Sequence, residues 1–200
     1  TAMDSGRGLL LTHNSLSASV WAGVVSALIA LQGAYWSARN RSGWAQWTYR
    51  VAHLGYGVPG VVIGLALIFG ATRAVPALYQ TLTLLIFAYA VRFIPQAIAA
   101  QRSVCAALNP RLLEAGRSLG AGPVQLVLRI VLPLLRPGVA SAAILVFLTS
   151  MKELPMTLLL APLDFSTLGT DVWSQASEAS FAAAAGPALL LVFVAVVPLA

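Results

Sequence analysis

Lys152 and Glu153 stand side by side in a largely apolar stretch that runs from Gly138 to Leu163, and Arg92 stands alone in another, between Arg73 and Arg102. If these stretches cross a membrane, each buried charge costs about 2.5–3.5 kcal/mol on insertion scales. The three side chains must then face a bundle interior or a wet cavity. That placement suits a translocation path or gate, and equally a structural ion pair. Neighbours in a helix point about 100° apart, so Lys152 and Glu153 do not neutralise each other. Arg92 lies nearer the cytoplasmic end of its stretch than Glu153 does of its own, so straight helices disfavour a direct bridge. Pro155 can break the helix and change that. The gate reading is preferred for Lys152, Glu153 and Pro155, and Arg92 is left open between the two roles.

The other reactive residue types form no constellation. His13 and His53 fall in loops on opposite sides of the expected topology and share no site. Tyr79 and Tyr89 sit in apolar surroundings where aromatic residues normally pack. Cys105 is the single cysteine, which excludes an internal disulfide and a cysteine metal cluster. No Gly-Lys-Ser/Thr phosphate loop occurs, so the chain is not expected to hydrolyse ATP. No nucleophile stands with a base, and neither a metal site nor a cofactor is expected.

Composition explains why these residues are so isolated. The chain has 200 residues, 59% hydrophobic and 9% charged, with 12 basic and 6 acidic side chains. A soluble domain carries about 25% charged residues, so this chain cannot cover a water-facing surface. Disorder is excluded by the same figures. The net charge of +6 does not point to nucleic acid, because the basic residues are sparse and separated by long apolar runs. The chain opens at Thr1, with no basic segment ahead of an apolar one, and reads as a fragment with no cleavable signal in view.

The long intervals without charge accommodate five spans, roughly 15–37, 54–71, 77–100, 138–160 and 182–200, since a spanning helix needs about 20 mainly apolar residues. Runs such as Gly60 to Phe69 do not alternate as barrel strands do, so the expected fold is an all-α integral membrane protein. Arg39, Arg41 and Arg50 follow span one, and Arg102, Arg111, Arg117, Arg129 and Arg136 follow span three. The opposite side holds Arg7 and Arg73. Positive charge stays on the cytoplasmic side, which puts the N-terminus outside and the C-terminus inside. The external loop 161–181 then carries Asp164, Asp171 and Glu178 without a basic residue. Trp21 and Trp36 lie about 22 Å apart along a helix, as interfacial anchors of span one would.

The cytoplasmic loop 102–137 is too polar to span and too patterned to be slack. Asn109-Pro110 is a helix start, with Asn as cap and Pro at the first helical position. Leu112, Leu113, Gly116 and Leu119 share a side, and Gly120 is placed to stop the helix. Gly122-Pro123 repeats the start, and Val124, Val127, Val131 and Leu134 follow at helical spacing until Pro133 interrupts. The spacing predicts two short amphipathic helices joined at a glycine elbow, each needing something to pack against.

The run Glu114-Ala115-Gly116-Arg117-Ser118-Leu119-Gly120, followed after nine residues by Ile130-Val131-Leu132-Pro133, resembles the EAA loop of permease subunits in ATP-binding-cassette importers. Gly116 stands where that pattern has a second alanine. Met151 to Leu160, Leu54 to Gly60 and Asp164 to Leu168 resemble the iron(III) permeases of that family. The resemblance covers nearly the whole chain and, with one EAA loop and no repeat, implies one half of a two-half permease.

By that resemblance the loop docks on a separate ATPase subunit that binds the ATP. Glu114, Ala115, Gly116, Gly120, Val127, Ile130, Leu132 and Pro133 carry the coupling. The partners implied are the ATPase, a second permease half and a periplasmic binding protein, in a bacterial inner membrane. Arg117, Arg129 and Arg136 either touch the ATPase or merely follow the positive-inside rule. Thiamine and other solutes are alternatives to iron(III). An intramembrane enzyme using Glu153 and Lys152, or an autonomous channel, leaves the EAA spacing unexplained.

Overall fold

The computed structural model describes residues 5–39 and 57–196, and the regular elements among them are helical. Expectations for Arg41, Arg50, His53, Leu54 to Tyr56 and the last residues of span five lie outside the described residues. The helices are α1 (Ser5–Arg39), α2 (Gly60–Ala74), α3 (Leu82–Ala107), α4 (Pro110–Ser118), α5 (Pro123–Leu126), α6 (Leu132–Ser150), α7 (Pro155–Leu160), α8 (Leu168–Ser177) and α9 (Phe181–Val196). A 3-10 turn, Pro76–Leu78, precedes α3, and a π turn, Val127–Val131, joins α5 to α6.

Among the described residues, three continuous helical stretches are long and apolar enough to cross a membrane: Gly6–Ala38, Leu82–Ala107 and Pro123–Ser150. The helices α2 and α9 are apolar but shorter. The expected span 138–160 is therefore corrected. Its helix ends at Ser150 and a new one starts at Pro155. Proline has no N–H, and its ring would collide with the carbonyl of Met151 four residues back. The long apolar helix instead begins at Pro123, inside the segment expected to be a separate cytoplasmic helix.

The core is a bundle of α1, α3 and α6. Apart from Leu11, the buried residues of α1 are small, among them Ser15, Ala18, Ser19, Ala22, Ser26, Ala30, Ala34 and Ser37. They recur every three or four positions, so helix backbones approach closely, as they do where lipid provides no hydrophobic drive for association. A Cβ at Gly23 would lie 2.6 Å from the Ala143 carbonyl oxygen, and one at Gly138 would lie 3.1 Å from Val104 Cβ. Gln101, buried on α3, donates its Nε2 to the Ala27 carbonyl at 2.7 Å across the same interface. Val20, Trp21, Leu28, Ile29 and Trp36 are exposed on α1, where a bilayer would cover them.

Outside this bundle, α2 packs mainly on α7 and α9 packs on α8. The start of α8 and the segment just before it are tied to α1 by two hydrogen bonds: Leu168 N–H to Ser15 Oγ at 2.8 Å, and Asn14 Nδ2 to the Ser166 carbonyl at 3.0 Å.

Candidate functional site

Two constellations emerge, at opposite ends of the helix that runs from Pro123 to Ser150. The first is the elbow between α4 and α5. Asn109 Oδ1 accepts from Arg111 N–H at 3.0 Å, and Pro110 opens α4. At the other end Gly120 adopts φ +81°. Its N–H bonds to the Arg117 carbonyl at 2.9 Å, and Ala121 N–H bonds to the Gly116 carbonyl at 3.0 Å. This pair of bonds is a Schellman cap, which needs a left-handed residue at the position of Gly120.

Gly116 faces inward at this elbow. A Cβ there would lie 2.5 Å from Leu126 Cδ2 and 2.9 Å from Ile130 Cδ1. In this chain α4 lies so close to the following helix that even a methyl group forces Leu126 and Ile130 to move.

The expected stripe of Val124, Val127, Val131 and Leu134 does not form a buried face. Val131 is buried with Ala34, Cys105, Leu108 and Leu135, whereas Val124, Val127 and Leu134 are exposed. The packing residues are Leu126, Val131 and Leu135. The reason lies at Pro133, which cannot donate to Arg129. The turn opens, Leu132 N–H reaches back five residues to the Val127 carbonyl, and the helical phase shifts. The apolar side chains turned outward around the elbow include Leu119 at 89% exposure and Val124 at 67%. Glu114, Ala115, Arg117 and Arg129 are also exposed, Leu132 is half-exposed and Ile130 and Pro133 are partly buried.

The second constellation surrounds the break after α6. Arg92 on α3 and Glu153 in the break form an ion pair, Nε to Oε2 at 3.5 Å, with side-chain exposures of 20% and 10%. The sequence reading disfavoured this bridge for straight helices, and the break is what makes it possible. Arg92 Nη1 also donates to the Val58 carbonyl at 2.8 Å. A Cβ at Gly60 would lie 2.6 Å from Glu153 Oε1, so the carboxylate abuts the first turn of α2. A helix N-terminus favours negative charge there. Lys152 and Pro155, within and just after the break, are exposed.

Tyr89 completes the cluster. It is buried, and its hydroxyl hydrogen-bonds Thr157 Oγ1, which in turn donates to the Glu153 carbonyl. The sequence reading assigned Tyr89 to packing and missed this network. Its visible signal was the spacing of Tyr89 and Arg92, three apart on one helix face. Tyr79 is exposed beyond the 3-10 turn.

The remaining expectations divide. His13 lies exposed on α1 and not in a loop. Cys105 is buried. No group of His, Cys, Asp or Glu among the described residues could hold a metal ion. The acidic loop is not free of basic contacts, because Asp171 is buried against Arg7 from the start of α1. Asp164 and Glu178 stay exposed. A cavity of about 440 Å³ opens between Arg7, Asn14 and the Leu163–Ser166 segment.

Comparison with known proteins adds an independent line. The family model described as binding-protein-dependent transport system inner membrane component matches residues 20–200. An Fe(3+)-transport system permease protein of Haemophilus influenzae is 38% identical over 97% of this chain, and the chain spans 36% of that protein's length. A diacetylchitobiose uptake system permease protein of Streptomyces coelicolor is 30% identical over 90% of this chain and 68% of its own. A putative 2-aminoethylphosphonate transport system permease protein of Salmonella typhimurium is 27% identical over 92% of this chain and 70% of its own. The fold matches a chain of the MetNI methionine ABC transporter, solved in inward-facing conformations, with a TM-score of 0.71. That match covers 98% of this chain and 94% of the other, at 19% identity.

Proposed function

The chain belongs to the family of binding-protein-dependent transport system inner membrane components, and from that premise we propose that it is one half of an importer's permease. In this reading a separate ATPase subunit supplies the energy, a second permease half completes the pathway, and a periplasmic binding protein delivers the solute. The chain itself holds no cofactor. The observation that carries the reading is the elbow. Leu119 at 89% exposure and Val124 at 67% stand on a Schellman-capped turn held by Gly116 and Gly120. Apolar side chains so exposed on a rigid turn are suited to a partner protein's groove. The elbow would face the cytoplasm, with the N-terminus outside, because Arg102, Arg111, Arg117, Arg129 and Arg136 surround it.

Within the permease, Lys152, Glu153 and Pro155 form the gate region. An interrupted helix near a pathway is a common way to line a transport site, and here it is joined directly to the elbow through the Pro123–Ser150 helix. Asp164 and Glu178 would lie at the outer mouth, with Asp171 engaged by Arg7.

The solute proposed is iron(III), supported by the 38% identity to the Haemophilus permease along 97% of this chain. A second reading is a different small solute, favoured by the 2-aminoethylphosphonate and diacetylchitobiose relatives. The deciding experiment purifies the chain with the products of its neighbouring genes and measures uptake of radiolabelled ferric iron into proteoliposomes. Co-purification of an ATP-binding subunit is expected, and iron uptake should require ATP. Absence of that subunit would remove the permease reading, and ATP-driven uptake of another solute would replace iron.

A further inference from the structure

Arg92 binds two separate parts of the chain at once. Its Nη1 donates to the Val58 carbonyl at 2.8 Å, just ahead of α2. Its Nε stands 3.5 Å from Glu153 Oε2, in the break ahead of α7. Gly60 lies where these meet, since a Cβ there would be 2.6 Å from Glu153 Oε1 and 3.3 Å from Arg92 Nη1. One turn earlier on the same face of α3, Tyr89 reaches the Glu153 carbonyl through Thr157. The helices α2 and α7 are themselves packed together, with Leu159 lying over Gly64.

We propose that Arg92 is a positioning residue on α3 that holds α2 and the break before α7 to one common point, so that the two helices move together as one leaf about it during transport. The inference rests on the transport reading above and deepens the gate assigned to Glu153. Its physical basis is the shared contact. Arg92 Nε and Glu153 Oε1 are both buried and neither completes a hydrogen bond. In a low-dielectric interior either charge alone is costly, so the guanidinium and the carboxylate hold each other in place. A guanidinium is suited to the task because its fixed fork of donors reaches two acceptors in different directions.

Two measurements on the assembled transporter in proteoliposomes test this. The first replaces Gly64 and Leu159 by cysteine. The Cβ positions lie 3.6 Å apart, inside the roughly 3.5–4.5 Å range of disulfides. Oxidation should leave uptake unchanged, because the bond joins two parts of one leaf. Loss of uptake on oxidation, restored by reduction, overturns the proposal.

The second compares Glu153→Gln with Arg92→Met/Glu153→Gln, reading solute imported per ATP hydrolysed. The double variant should assemble normally yet fall about tenfold below Glu153→Gln, in line with the size of coupling effects elsewhere. No additional loss overturns the role of Arg92 whatever Glu153→Gln does alone. Glu153→Gln by itself reports on the gate, so the two failures are distinguishable. Should the double variant not assemble, Arg92→Lys serves instead. It keeps the charge without the two-armed reach and should lower the same ratio, and a wild-type ratio overturns the proposal.

Discussion

Arg92 and Glu153 are 61 positions apart in the chain, yet their side chains pair at 3.5 Å across the break between α6 and α7. The break is a consequence of Pro155. A straight helix through residue 153 would carry the carboxylate elsewhere, so the proline and the ion pair belong to one device.

Glu153→Gln keeps the shape of the side chain and an acceptor for Arg92, and removes the charge. Uptake in vesicles should fall about tenfold, within the range of known coupling effects, while membrane insertion and co-purification of the ATPase stay at wild-type levels. Wild-type uptake by this variant would show that the carboxylate has no part in gating.

Gly116→Val should damage the elbow. Even the first added carbon would lie 2.5 Å from Leu126 Cδ2, and overpacking of this kind costs about 1–3 kcal/mol. The expected result is loss of the co-purifying ATPase from a chain that still inserts, with Gly116→Ala showing a smaller loss. Full retention of the ATPase by Gly116→Val would mean that α4 need not lie so close.

Gly120→Val tests the cap without crowding, since a Cβ at Gly120 meets nothing within 4 Å. Its φ of +81° is strained for a β-branched residue, at about 1–2 kcal/mol. ATP hydrolysis should become less dependent on solute delivery. Unchanged coupling would show that the turn tolerates another geometry.

The orientation can be read by thiol labelling. Cys105 is 1% exposed and is a poor target for an impermeant reagent. Leu119→Cys places a thiol at an 89% exposed position on the elbow. It should resist labelling in intact cells and react in inverted vesicles; labelling from outside intact cells reverses the topology.

The punctuation of the cytoplasmic segment was legible in the sequence because caps and turns depend on residues within one helical turn of each other. Asn109-Pro110, Gly120 and Gly122-Pro123 each sit where the structure starts or stops a helix. The apolar stretches were legible because solvation by lipid depends on composition along a stretch, although among the described residues three helices, not five, are long enough to cross a membrane, and the fourth stretch was drawn across a proline that divides it. Tertiary structure alone decided which side chains meet. The π turn at Val127–Val131 moved burial from Val124 and Val127 to Leu126 and Leu135. The bundle brought Arg7 to Asp171 and Arg92 to Glu153. Such pairings depend on where helices begin, bend and cross. A shift of one residue turns a side chain by about 100°, so no local pattern specifies them.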